Sequence, residues 1–154
     1  MKVIKKILVG LGIVFVLFIV LAIFLAGSSS EFKEKHQAFV INYTHEFSKN
    51  WEINSVSTET TNGMLSQINT PNGKHALSVF STFGEFVEAT DIELHNYSTN
   101  AGGPTVGVFK FKAQFKNANT LVTVTVQEID GAVKVHGFHI DPIGNILPSS
   151  EFNA

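Results

Sequence analysis

The stretch EIDGAVKVHGFHIDPI, from Glu128 to Ile143, holds two imidazoles three residues apart and a carboxylate two residues past the second. His136, His139 and Asp141 are residue types that ligate metals, relay protons or pair as acid and base. Spacing decides among these roles. Asp130-Gly131 reads as a two-residue hairpin loop, which sets Thr125 opposite His136 and Val122 opposite His139. Side chains alternate along a strand, so residues three apart point to opposite faces and cannot chelate one ion. Only a bulge, for which Gly137 is the natural place, would bring both rings to one side. No metal and no cofactor is expected. On this register His139 shares a face with Val122, Val124, Val126, Val133 and Val135, and Asp141 follows on the same face. Such a histidine is either a buried group with one hydrogen bond or a general acid or base tuned by burial and the nearby carboxylate. His136, on the other face, should be wet.

The elements that carry these residues follow from periodicity. Phe32, His36, Phe39, Tyr43 and Phe47, with Val40 beside them, recur at helical spacing, and Ser28 with Glu31 fits a capping box. Val56, Met64, Leu65 and Ile68 suggest a short helix or two. TPNGK starts another helix, with Thr70 as cap, Pro71 in the first turn, and Ala76, Val79, Phe80 and Phe83 as apolar face before Gly84. Beyond Gly84 the period falls to two. Ile92, Leu94 and Asn96 alternate with Glu93, His95 and Tyr97. Phe109, Phe111, Ala113 and Phe115 alternate with Lys110, Lys112, Gln114 and Lys116, and LVTVTVQ follows. Helices first and an antiparallel meander afterwards make an α+β fold.

The chain opens differently. Lys2, Lys5 and Lys6 precede an uncharged run of 21 residues, Ile7 to Gly27. As a helix that run spans roughly 31 Å, about the hydrocarbon thickness of a bilayer. The reading is a cytoplasmic N-terminus over 1–6, a transmembrane helix or signal anchor over 7–27, an extracytoplasmic domain over 28–141 and a tail over 142–154, in which Ile146 and Leu147 could dock. Cleavage after Ser28 is the alternative. The positive-inside bias places the lysine-rich end in the cytoplasm. Taking those three lysines from the formal net charge of −2 leaves −5 outside, which argues against nucleic acid as a partner. There is no cysteine, so disulfides, thiolate nucleophiles and cysteine-bound zinc are excluded. There is no arginine either, which removes the bidentate fork suited to phosphate and carboxylate.

The run FKFKAQFKNANTLVTVTVQEIDGAVKVHGFHI resembles the closing strands of cystatin-like α+β rolls, the nuclear transport factor two-like superfamily, and is most similar to small bacterial exported members. Val133 stands where those proteins usually carry tryptophan. The resemblance implies a long N-terminal helix, one or two short helices, and a curved antiparallel sheet of about four strands around a cone-shaped cavity. Tyr43, Asp91, His139 and Asp141 are then the candidate polar groups of the cone. Superfamily members include isomerases, dehydratases and binding modules, so the fold alone does not choose a function. The outer sheet face is a candidate homodimer surface formed by Leu121, Thr123, Phe138 and Ile140. The row Lys110, Lys112 and Lys116 reads as a solvated face or one that attracts an acidic partner. Asn42-Tyr43-Thr44 and Asn96-Tyr97-Ser98 match the glycosylation sequon. The expectation is a membrane-anchored, non-catalytic binding domain. The alternatives are a small-molecule or lipid site, or an isomerase-like enzyme, near His139, and an accessory subunit of an envelope assembly.

Overall fold

A computed structural model describes residues 27–143. The expected membrane span, apart from Gly27, and the tail from residue 144 lie outside the described residues. No helix among the described residues is long and apolar enough to cross a membrane. The chain divides into two compact units, Met1–Glu34 and Lys35–Ala154. In the first, residues 27–34 are helical and Phe32 is buried. Helix at Gly27 means that Ser28 is not an N-cap; serine inside a helix costs only a few tenths of a kcal/mol.

The second unit begins with α1, residues 35–48. Its buried side chains are His36, Val40, Tyr43, Thr44, Phe47 and Ser48, spaced three and four apart on one face. The chain leaves α1 through Trp51, whose φ of 54° is costly for a bulky residue. Packing compensates. The indole ring lies 5.5 Å from Phe47 and 5.6 Å from Phe115, and Nε1 donates to the Gly84 carbonyl at 3.2 Å.

A 3-10 helix, Ile53–Glu59, leads into α2, Asn62–Ile68, and α3, Pro71–Ser81. Thr61 caps α2 by accepting from the Met64 N–H, and Thr70 caps α3 by accepting from Gly73. The two helices meet closely at Gly73. A Cβ there would stand 2.3 Å from the Gln67 carbonyl oxygen and 2.5 Å from the Ile68 Cα. The expected face of α3 is partly displaced: Val79 is exposed, and Leu77 joins Ala76 and Phe80 on the inner side.

Four strands complete the unit: β1 Phe86–Ser98, β2 Thr105–Phe115, β3 Asn119–Ile129 and β4 Ala132–Pro142. They form one antiparallel sheet in sequential order, so β1 and β4 are its edges. The chain is therefore α+β. Phe109, Phe111, Ala113 and Phe115 point inward with Val122, Val124 and Val126, as their alternation requires. In β1 the simple alternation fails, because register shifts between Thr90 and Glu93 and between Leu94 and Asn96 rotate the strand. Asn96 is consequently exposed, and Tyr97 stands opposite Gly107.

The β3–β4 hairpin turns at Asp130-Gly131, with φ of 52° and 78°, the positive pair a two-residue primed turn demands. Ile129 faces Ala132 and Val126 faces Val135, as expected. One residue later the expected register breaks. Thr125 pairs with Gly137 rather than His136, Thr123 with His139, and Val122 with Ile140. His136 is the extra residue of a bulge, and every side chain beyond it changes face.

Candidate binding cleft at the sheet edge

The bulge relocates the residues expected to do chemistry. His139 does not sit among the valines. Its side chain is 65% exposed, and its Nε2 donates to Asp141 Oδ1 at 3.0 Å. The two residues share a face, as the spacing predicts, but it is the exposed one rather than the valine face. His136 pairs instead with Thr61, Nδ1 to Oγ1 at 3.1 Å. The two imidazoles therefore take separate partners. Among the described residues, no three histidine, aspartate or glutamate side chains group as metal ligands.

Tyr43 lies in the core. Thr60 Oγ1 donates to the Val56 carbonyl at 2.7 Å, which leaves it to accept from the Tyr43 hydroxyl at 2.9 Å. Burial pushes the phenol up to about 12, the Thr60 bond works against the shift, and the charge of Glu59 adds to it. At neutral pH it is a protonated donor already committed. Asp91, with φ of 53°, sits at the β1 irregularity and pairs with Lys112 at 2.9 Å. Its carboxylate raises the Lys112 ammonium above the usual lysine range. Lys116 is held by Glu85 at 2.5 Å. Tyr43, Asp91 and the His139–Asp141 pair thus do not converge, and Phe109, Phe111 and Phe115 are fully buried where the cone was expected.

The candidate dimer face is likewise divided. Leu121 and Thr123 are half-buried, opposite Lys112 and Lys110. Phe138 and Ile140 turn inward. Ile140 is buried opposite Val122, and Phe138 lies 5.4 Å from Phe47 and 6.2 Å from Tyr43. The cause is the same one-residue slip, which moves an apolar pair from outer surface to core.

A polar cluster that the sequence left unassigned closes the far end of α1. His36 is buried, and its Nε2 donates to Glu128 Oε2, while Lys35 Nζ donates to Oε1 at 2.6 Å. Lys35 first, then His36, holds the Glu128 carboxyl below the usual range, against the opposing effect of its burial. Half of this was legible: a histidine on an apolar helix stripe must find a hydrogen-bond partner. Nothing local identifies that partner as a residue 92 positions away.

Among the described residues, one space open to a guest lies between α2, α3 and the edge strand β4. A cleft of about 180 Å³ is walled by Phe47, Met64, Ile68, Leu77, Phe80 and Phe138, with Gln67, Gly137 and His139 also lining it. No residue of α3 is fully buried, so this helix stands over the cleft with its apolar side only half covered. Comparison with protein-family models, curated proteins and solved structures found no match.

Proposed function

We propose that the chain is a single-pass membrane protein whose extracytoplasmic domain, a cystatin-like α+β roll, binds a protein partner and performs no chemistry itself. One observation carries this reading: the reactive side chains are satisfied separately, Tyr43 by Thr60 in the core and Asp91 and His139 at the surface by partners of their own, while phenylalanines occupy the space beneath the sheet. Catalysis by acid and base needs such groups within hydrogen-bond reach of one reacting atom. Tyr43 on Thr60, Asp91 on Lys112, and His139 on Asp141 share no such point. The uncharged run from Ile7 to Gly27 supports the anchor, and the preceding lysines support the orientation. Affinity capture of the full chain from detergent-solubilised membranes tests the function; a stoichiometric protein partner is the expected result. Recovery of the chain alone, with a co-purifying small molecule, would favour a ligand-binding domain. That second reading draws on one specific feature, the cleft that His139 and Gln67 help to line.

A further inference from the structure

We propose that Asn62-Gly63, in the first turn of α2, is a site of spontaneous covalent modification, at which Asn62 loses its side-chain amide. The other asparagine–glycine pair, Asn72-Gly73 in α3, is protected by the fold. The sequence holds these two pairs, and both asparagines are exposed. Asparagine is thermally labile, most of all before glycine, where no side chain hinders attack by the next backbone nitrogen.

The reaction is a cyclisation followed by a hydrolysis. The Gly63 backbone nitrogen, its proton passed to solvent base, attacks Asn62 Cγ. The Cγ–N bond forms as the Cγ–Nδ2 bond breaks, and ammonia leaves with a proton drawn from water. Water then opens the cyclic imide at either carbonyl. Cleavage at Cγ gives aspartate. Cleavage at the main-chain carbonyl gives isoaspartate, whose main chain runs through Cγ and is longer by a carbon. Water is consumed, ammonia is released, and nothing is oxidised or reduced.

Two differences between the pairs decide which reacts. Attack needs a glycine N–H released from its hydrogen bond and a backbone free to turn at the asparagine. Asn62 and Gly63 open α2, ahead of the intrahelical ladder, and the cap passes over them: Thr61 Oγ1 accepts from the Met64 N–H. In α3 the pair lies a position further in, so the Thr70 hydroxyl accepts from the Gly73 N–H itself, at 3.1 Å. Packing differs too. Gly73 is pressed against the Gln67 carbonyl and the Ile68 backbone, whereas a Cβ at Gly63 would find its nearest described neighbour, His136 Cε1, at 3.6 Å. Bringing Gly73 to the Asn72 side chain breaks a cap and a close approach; bringing Gly63 to Asn62 breaks neither.

The modification bears on how α2 is tied to the sheet. The Thr61 N–H donates to the Val135 carbonyl at 2.9 Å, and Thr61 Oγ1 pairs with His136 Nδ1. An extra main-chain carbon at position 62 disturbs the spacing from Thr61 to Met64 on which the cap depends, so isoaspartate loosens α2 from β4. Aspartate keeps the spacing and adds a negative charge where the helix dipole favours it.

The test incubates the full chain in lipid nanodiscs, warm and mildly alkaline, in heavy-oxygen water, and follows each asparagine by peptide mapping. Asn62 should convert at least about fivefold faster than Asn72, the factor for one further hydrogen bond to break, and should take up heavy oxygen in its new carboxylate. In denaturant the two pairs should convert at similar rates. Gly63→Ala, for which there is room, should slow Asn62 to the rate of the exposed Asn100, which precedes Ala101. Thr70→Val should speed Asn72 towards Asn62. Equal rates for the two pairs in the folded chain, faster conversion at Asn72, or conversion of Asn62 no faster than that of Asn100 would each overturn the proposal. Isoaspartate-containing protein whose Thr61 amide exchanges no faster than before would sever the link to β4.

Discussion

Glu128 shows how one carboxylate can tie distant segments. It receives Lys35 and His36 from the start of α1 while sitting beside the β3–β4 turn. Its folded-state pKa is lowered, so its contribution to stability is present above the ordinary carboxylate range and is lost as pH falls through the depressed value. Glu128→Gln should cost about 1 kcal/mol at neutral pH. Denaturant titrations of both proteins should converge on acidification, and a constant gap down to strong acid would argue that charge is irrelevant there. Tyr43 has the opposite sign. Its pKa is raised to about 12, so its contribution holds below the usual phenol range and fades as pH climbs from about 10 towards 12. Tyr43→Phe should lose about 1 kcal/mol from the Thr60 bond and should flatten the alkaline arm of the stability profile.

Elements depend on close approaches that composition does not advertise. An exposed helical glycine is ordinarily improved by alanine, by up to about 1 kcal/mol. Gly73 should behave in reverse, since a methyl there runs into the Gln67 carbonyl and the Ile68 backbone. Thermal unfolding of Gly73→Ala should therefore show a lower midpoint; a higher one would mean that α2 and α3 do not meet as described. The β4 bulge makes a sharper prediction. On an unbroken register Phe138→Lys would be a surface change that weakens self-association and spares the fold. With Phe138 against Phe47, Tyr43, Trp51 and Phe80, the ammonium enters an aromatic cluster. A loss of about 3 kcal/mol is expected, from the removed ring and the buried charge. Chemical denaturation distinguishes the two directly.

The proposed anchor and its orientation make a prediction at the scale of the whole molecule. Protease applied to intact, right-side-out membrane vesicles should digest the domain from residue 28 onward and spare the N-terminal segment. Protection of the C-terminal part would reverse the orientation. Three acidic groups have lysine neighbours: Asp91 meets Lys112, Glu85 meets Lys116, and Glu93 stands opposite Lys110. The lysine row that suggested an acidic partner is thus partly neutralised within the sheet. Exposed pairs of this kind add little stability, and their effect is to leave that face without a strong field of either sign.

Periodicity by itself determined the class of fold, the β2 and β3 faces, the Thr70-Pro71 start of α3 and the Asp130-Gly131 turn, because each depends on neighbours within a few residues. Composition excluded thiolate chemistry outright. Only the tertiary structure decided which way β4 faces beyond Val135. A strand's alternation is blind to a single inserted residue, and the bulge at His136 shows only in the pairing of Thr125 with Gly137. That one residue moved His139 and Asp141 outward and drew Phe138 and Ile140 into the core. Partnerships across 92 positions, such as His36 with Glu128, belong to the same category: they follow from packing, which brings together groups that no local pattern connects.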